Sequence, residues 1–173
     1  MSQYFLTTAR IGFRKWQPDD LPLVDALWGD SHVGAYIGGP FSSEQVRERL
    51  VREIEFERVY GLQYWPIFLL NDDAHVGCCG LRPYDLQRRV YELGFHLRKQ
   101  FWGQGLATEA GRAARDWAAK NLQPASLFAG HHPENRASQA VLKKLGFVYT
   151  HDEPYGATGL LHPSYRLLLC TQR

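Results

Sequence analysis

The feature that most constrains this chain is a short glycine-bearing segment at residues 100–110, with the sequence QFWGQGLATEA. It lies between an apolar stretch typical of a strand, Val90 to Leu97, and an amphipathic stretch typical of a helix that runs to about Lys120. Gly103 and Gly105 lack the Cβ atoms that would block a close approach to the backbone. Because the helix adds free N–H groups and the positive end of its dipole, we predict that the turn binds a phosphate or pyrophosphate.

Length and composition predict one globular domain that covers residues 1–173. With 173 residues and 45% hydrophobic residues, the chain can bury a sizeable core. The formal net charge of +2 does not favour nucleic-acid binding, although it allows a local basic cluster for a phosphorylated ligand. Cys78, Cys79 and Cys170 show neither a disulfide framework nor metal-ligand spacing, so no metal is expected. Without an apolar leader or spanning stretch, we expect a cytoplasmic protein with no membrane partner, either a monomer or a homodimer.

The order of predicted elements indicates an α+β fold, or a three-layer α/β fold, whose mixed central sheet is mostly antiparallel. We expect about six or seven strands, and residues 150–160 are read as a loop. The predicted strands are Thr7–Trp16, Tyr64–Leu70, His75–Leu81, Val90–Leu97, Ser126–Ala129, Phe147–Thr150 and Leu160–Leu169. The predicted helices are Leu21–Gly29, one capped by Ser42 or Ser43 that runs to about Val59, one from the glycine turn to about Lys120, and Glu134–Leu145.

A second group of polar residues follows the strand Ser126–Ala129. Asn135 lies at the start of the next predicted helix, which is the usual place for a capping residue, and Ser138 lies one turn further along. The group follows the glycine turn by one helix and one strand. Both loops are therefore expected at the same edge of the sheet, where this pair would face a ligand bound between the strands.

These motifs together resemble the GNAT N-acetyltransferase superfamily. The pattern Gln100-x-x-Gly103-x-Gly105-x-Ala107 is similar to its acyl-CoA pyrophosphate motif. The longer string from Glu92 to Ala110 resembles the RimJ/RimL-like branch, which is named for acetylation of ribosomal-protein N-termini. Further matches to that branch are Thr8–Arg10, Arg14, Tyr36–Pro40, Pro133–Ser138 and Leu145–Phe147. The resemblance covers nearly the whole chain and implies a single acyl-CoA N-acyltransferase domain with a GNAT-like sheet flanked by helices.

The resemblance also implies where acetyl-CoA, the expected cosubstrate, would lie. The strand Val90–Leu97 would splay from the strand Ser126–Ala129, and pantetheine would occupy the gap. The implied cofactor-binding residues are Phe95, His96, Leu97, Arg98, Gln100, Gly103, Gln104, Gly105, Leu106, Ala107, Thr108, Asn135 and Ser138. Candidate partners of the CoA phosphates are Arg98, Lys99, Arg136 and Lys143.

Two proton transfers define the catalytic candidates, because the attacking amine must be neutral and the departing thiolate must be protonated. Ser138 occupies a position from which it would protonate the sulfur, since Leu142 replaces the Tyr that the superfamily often uses. Glu92 is the candidate base, acting through water, if it shares a strand face with His96. The alternatives are His131 and His132, whose ordinary pKa lies near neutrality.

The acceptor is expected to bind between residues 28–37 and the 150–160 loop. Acidic and aromatic groups there suit a cationic amine. The candidate substrate-binding residues are Trp28, His32, Tyr36, Glu92 and Tyr155, with Asp152 and Glu153 beside them.

Proton arithmetic favours an α-amine as the acceptor. An α-amine with a pKa of about 7.7 is neutral in about one-sixth of molecules at pH 7, whereas a lysine amine is neutral about once in 2,500. We therefore expect a protein or peptide N-terminal α-amine. Two alternatives stay open: a small-molecule amine such as an antibiotic, a polyamine or an amino acid, and a non-catalytic acyl-CoA-binding module.

Overall fold

The structure, a computed structural model, describes residues 3–169, so Cys170 lies outside the described residues. A single eight-stranded sheet carries helices on both faces. The strands are β1 (Leu6–Thr7), β2 (Ile11–Phe13), β3 (Tyr64–Leu69), β4 (His75–Asp85), β5 (Val90–Leu97), β6 (Ser126–Gly130), β7 (Val148–Tyr155) and β8 (Leu160–Leu168). The helices are α1 (Leu21–Trp28), α2 (Ser31–Gly34), α3 (Ser43–Tyr60), α4 (Leu106–Asn121) and α5 (Arg136–Leu145). No helix within the described range is long and apolar enough to span a bilayer.

The strand order is β1-β2-β3-β4-β5-β6-β8-β7, and every neighbouring pair is antiparallel except β5 and β6. The predicted mixed, mostly antiparallel sheet is therefore confirmed, but the expected number of six or seven strands was too low. The extra strand arises where one strand was expected over Thr7–Trp16. The Thr8 hydroxyl accepts the Ile11 N–H at 3.0 Å and closes a turn, so β1 and β2 form a hairpin.

Two further segments differ from the sequence prediction. Residues 150–160 form the arms and turn of a β7–β8 hairpin instead of a loop. The exposed edge strand β7 carries no alternating apolar pattern that would mark it as a strand. The short helix α2 was not expected; it begins because the Asp30 carboxylate accepts the N–H groups of His32 and Val33.

Each face of the sheet has its own apolar core. On one face, small residues of α4 such as Ala110 and Ala114 let the helix pack closely on Leu93 and Leu127. On the other face, α1 and α3 bury Trp28 and Leu50 against the sheet. This three-layer arrangement leaves the middle strands accessible only where neighbouring strands separate.

That separation occurs between β5 and β6. The two strands pair from Val90↔Ser126 to Glu92↔Phe128, whereas β5 continues to Leu97 paired with β4 alone. The splayed strands implied by the resemblance are therefore present, and they open a cleft beyond Glu92.

Candidate active site

A cavity of about 800 Å³ occupies the cleft between β5 and β6. One end is lined by the glycine turn and the first turn of α4, and the long wall is the stretch of β5 from Glu92 to Leu97. The opposite end reaches residues of α3, β3 and β4. The cavity thus extends from the glycine turn, predicted from sequence to bind an anion, to polar side chains of α3, β3 and β4.

The glycine turn presents an unsatisfied strip of backbone. Gly103 and Gly105 have φ angles of 72° and 77°, a left-handed conformation that favours glycine. Within residues 3–169, the N–H groups of positions 103–108 find no hydrogen-bond acceptor. Since α4 starts at Leu106, its positive dipole end adds to these donors. The geometry is that of an anion site.

The N-terminal segment braces this turn. Arg10 donates from Nη1 to the Gln104 carbonyl oxygen at 3.0 Å and from Nε to Glu109 Oε2 at 2.7 Å. The Thr8 hydroxyl donates to Glu109 Oε1 at 2.6 Å. Partial burial opposes ionisation, but these hydrogen bonds lower the pKa of Glu109. Because its charge is paired, Glu109 does not repel an anion from the helix N-terminus.

Most of the implied cofactor-binding residues line the cavity, namely Phe95, His96, Leu97, Gly103, Gly105, Leu106, Ala107, Thr108, Asn135 and Ser138. Three others lie in the framework of the turn instead of in its lining. Arg98 donates to the His75 carbonyl oxygen at 3.3 Å, and Gln104 Nε2 donates to the Gln100 carbonyl oxygen at 3.0 Å. These contacts hold the turn in place.

The basic residues proposed for the CoA phosphates are placed unequally. Arg136 lines the cavity, as does Lys144, which was not among the sequence candidates. Lys99 Nζ lies 2.9 Å from Nε2 of His32, and Lys143 occupies the last turn of α5. The geometry therefore favours the α5 side of the cleft as a source of positive charge.

Asn135 and Ser138 meet at the start of α5. Asn135 Oδ1 accepts the Ser138 N–H at 3.1 Å, so Asn135 is the N-cap of this helix. Both side chains also line the cavity. The Ser138 hydroxyl has no hydrogen-bond partner among the described residues, which leaves it free to donate to a ligand.

Glu92 lies in the cavity wall at the point where β5 and β6 separate. The register of β5 against β4 is unbroken from Glu92 to Leu97, so Glu92 and His96 share a face of the strand. Burial raises the pKa of the Glu92 carboxyl, although Arg82, a hydrogen bond with Tyr64 and Arg49 oppose the rise. A carboxylate with a raised pKa beside a cleft suits proton transfer near neutral pH.

The histidines around the cavity differ in their free ring nitrogens. His131 uses both nitrogens, with the His132 carbonyl oxygen at 2.7 Å and the Tyr165 hydroxyl at 3.1 Å. His132 accepts the Glu134 N–H on Nδ1 at 3.2 Å, which leaves Nε2 available. His162, absent from the sequence candidates, also lines the cavity, and burial lowers its pKa. The strand that carries His162 was predicted from the sequence, but its place beside the cleft follows from the pairing of β8 with β6, which the sequence does not reveal.

The proposed acceptor residues do not all reach the cavity. Tyr36, Tyr155 and Glu153 line it, with the Tyr155 ring 4.5 Å from the His162 ring. His32 and Asp152 lie outside the lining, and His32 contacts Lys99 at the surface.

Trp28 is fully buried behind the cavity wall. Its Nε1 donates to His96 Nδ1 at 3.1 Å, and burial keeps the pKa of His96 well below the ordinary value. The ring nitrogen that accepts from Trp28 is therefore unprotonated. The structure places Trp28 as a support for His96 and not in the lining.

Sequence reasoning missed a buried charged cluster at the far end of the cavity. Arg49 and Arg82 line the cavity beside Glu92, and the carboxylate of Glu53 lies next to them. The only sequence signal was the many Glu and Arg residues of α3, a pattern that usually marks a solvated face.

Comparison with known proteins shows which family this chain belongs to. The sequence matches the acetyltransferase (GNAT) domain over residues 10–148. The uncharacterized protein YkkB of Bacillus subtilis is 31% identical over 147 residues, which cover 84% of this chain and 86% of YkkB. The uncharacterized N-acetyltransferase p20 of Bacillus licheniformis is 27% identical over 144 residues, covering 82% of this chain and 81% of p20.

Solved structures show the same architecture. An acetyltransferase from Agrobacterium tumefaciens is similar with a TM-score of 0.81 at 25% identity, covering 98% of this chain and 99% of that one. RimL, a ribosomal L7/L12 α-N-protein acetyltransferase in complex with coenzyme A, has a TM-score of 0.81 at 16% identity. That match covers 94% of this chain and 96% of RimL, and at this identity it shows a shared fold.

Replacing Gly105 with Val should weaken acetyl-CoA binding at least tenfold. A β-branched side chain strains the left-handed backbone and moves the donor groups that hold the phosphates. Isothermal calorimetry on the folded variant provides the measurement. Gly61→Val is the matched control, because Gly61 has a similar φ of 66° and open space around it but lies outside the cavity lining. Equal acetyl-CoA affinity in the Gly105 variant and the wild type would remove the turn from the binding site.

Proposed function

Because the chain belongs to the GNAT acetyltransferase family, we propose that it transfers an acetyl group from acetyl-CoA directly to a protein or peptide N-terminal α-amine. The observation that carries this proposal is the cleft between two parallel strands, bounded at one end by an anion-binding turn and at the other by a carboxyl group. N-acetyltransferase activity follows from the family; the α-amine is our choice of acceptor.

The cleft suits an elongated, phosphorylated thioester. The free N–H groups of residues 103–108 would hold the pyrophosphate, and Arg136 and Lys144 add positive charge. The edge of β5 beyond Glu92 has no strand partner on the β6 side, so its backbone would bond the pantetheine amides. At Leu97 the carbonyl oxygen already accepts from Trp102 Nε1 at 2.7 Å. Acetyl-CoA supplies an activated acetyl group.

Glu92 is proposed to take the proton from the amine through water. It lies in the cavity wall, and the positive groups of Arg82 and Arg49 limit the rise of its pKa that burial causes. These positive groups favour the ionised carboxylate, which is the form that accepts a proton. His131 is less suited to this role because both of its ring nitrogens are engaged.

Ser138 is proposed to stabilise the departing sulfur by donating its hydroxyl hydrogen. Its hydroxyl is unpaired among the described residues, and the helix N-terminus behind it favours negative charge nearby. Leu142, one turn further along α5, is buried and cannot donate a proton.

The α-amine is supported by two observations. First, the neutral fraction of an α-amine at pH 7 is about 400-fold larger than that of a lysine amine, so an α-amine needs less help from a base. In addition, RimL, which shares the fold, is an α-N-protein acetyltransferase.

The variant Ser138→Ala should lower kcat by at least tenfold and change the acetyl-CoA KM far less. The reason is that general acid assistance is typically worth about 10²–10⁴-fold in rate. Steady-state kinetics should be combined with a single-turnover measurement that shows chemistry to be rate-limiting. A decrease in kcat below about threefold would exclude Ser138 as the acid.

The variant Glu92→Gln should remove or flatten the acidic limb of the pH profile of kcat/KM. Because burial raises the pKa of Glu92, this limb should lie above the ordinary range of a glutamate, and activity should rise as pH increases through it. His132→Ala is the comparison variant, since its Nε2 is free. A limb that persists in Glu92→Gln but disappears in His132→Ala would assign the base to His132.

A competition between two matched peptides tests the acceptor. One peptide has a free N-terminus and a blocked lysine, and the other has a blocked N-terminus and a free lysine. We expect mass spectrometry to show preferred acetylation of the first peptide. Preference for the second, or for a polyamine or aminoglycoside over both, would support another amine class. Tight acetyl-CoA binding without transfer to any amine would instead indicate a non-catalytic module.

A further inference from the structure

The far end of the cavity contains two guanidinium groups whose only part in the proposed transfer is to limit the pKa of Glu92. Arg49 extends from α3 and Arg82 from β4, and both line the cavity close to Glu92. Only 15% and 17% of their side-chain surfaces remain exposed. Charges this deep need a partner, because removing a cation from water costs several kcal/mol.

Arg49 has no hydrogen-bond partner among residues 3–169. Its guanidinium lies over the Trp28 ring, 4.4 Å from the centroid, and the nearest carboxylate oxygen, Glu53 Oε1, is 4.0 Å from Nε. The Nε atom is buried without a partner. Desolvation and the neighbouring Arg82 lower the pKa of Arg49 by more than the charge of Glu53 raises it, so the Arg49 charge is only partly compensated.

Glu53 is committed to other groups. One of its oxygens accepts from Arg82 Nη2, and the other accepts the Tyr64 N–H at 2.9 Å. It therefore neutralises Arg82 and has little left for Arg49. The nitrogen Nε of Arg82 is also buried without a partner.

The carboxyl groups that line the cavity, Glu92, Glu134 and Glu153, form no hydrogen bond or ion pair with Arg49 within the described residues. Glu153 contacts the Tyr84 hydroxyl at 3.0 Å and His151 Nε2 at 2.9 Å, and no ion pair joins it to Arg49 within the described residues. Glu92 forms no hydrogen bond with Arg49, and it loses its charge each time it takes a proton. A planar guanidinium with free donors is thus left facing the space in which the acceptor would bind.

We propose that Arg49, assisted by Arg82, binds a carboxylate of the acceptor, so that the acceptor is a primary amine that also carries a carboxylate. This inference rests on the proposed function. The guanidinium fork matches a carboxylate in two parallel hydrogen bonds, and the ring of Trp28 holds it flat for that contact. The carboxylate would come from an acidic residue at the start of a peptide or from a free amino acid.

Two acceptor pairs distinguish these sources. The first pair is a C-terminally amidated peptide beginning with Asp and the same peptide beginning with Asn. The second pair is free glutamate and its dicarboxamide. We expect the wild-type enzyme to prefer the carboxylate member of one pair by at least tenfold in kcat/KM, and the preferred pair identifies the source.

Arg49→Met should abolish that preference by raising the KM of the carboxylate member about 10- to 100-fold, which is the range for hydrogen bonds to charged groups. The KM of the carboxamide member should change less than threefold, whereas any change in kcat that arises through the pKa of Glu92 should be shared by both members. Arg49→Lys, which keeps the charge but loses the fork, should show an intermediate loss and serves as the test if the Met variant does not fold. Arg52→Met is the matched control, because Arg52 is exposed on the same helix and should behave as the wild type.

Two results would overturn the carboxylate site: no preference in the wild type within either pair, or equal rises in KM for both members of a pair in the Arg49 variants. If the wild type acetylates none of the four acceptors, the N-acetylated forms of all four are titrated by calorimetry in the presence of CoA. Equal affinity within each pair would then reject the site. Failure to bind acetyl-CoA at all would instead reject the proposed function, so the two failures are distinguishable.

Discussion

The end of the pairing between β5 and β6 is the constraint on which the rest of the structure depends. After Glu92↔Phe128 the strands separate, while β5 stays bound to β4 through Leu97. One edge of a central strand is therefore left without a strand partner inside the protein, where unpaired N–H and C=O groups are costly. A ligand with alternating amides can satisfy them. The same separation leaves Glu92 at the start of the cleft and the glycine turn at the end of the exposed strand.

The two ends of the cleft differ in the kind of charge that they carry. At the glycine turn, the donors are backbone N–H groups and a helix dipole, which supply fractional positive charge without mobile side chains. Arg10 pairs with the carboxylate of Glu109 in the first turn of α4. At the far end, the charges are full and buried, and their balance depends on the proton of Glu92. An anion at the glycine turn would therefore meet a fixed backbone structure, whereas an anion at the far end would change the balance of the buried charges.

Local signals in the sequence were sufficient to predict the ends of two helices and the position of the glycine turn. Ser42 and Gln45 form a capping box at α3, Gly146 ends α5 in a left-handed conformation, and the glycine turn lies where its pattern placed it. The features that the sequence did not predict depend on contacts between residues far apart in the chain. Nothing local shows that the Thr8 side chain closes a turn or that β7 pairs as an exposed edge. The burial of Glu53 on a helix rich in charge follows from its contacts with β3 and β4, which no helical periodicity reveals.

The far end of the cavity, where we propose that the acceptor binds, is built mainly from elements of the core. Trp28, expected as a contact for the acceptor, supports two groups from behind: it donates to His96 and lies against the guanidinium of Arg49. The lining there comes from α3, β3, β4 and β5, all of which contribute to the buried clusters. Side chains fixed by packing hold their geometry better than those on loops. A change of acceptor would therefore require substitutions within the core, where groups such as Glu53 already bond to neighbouring strands.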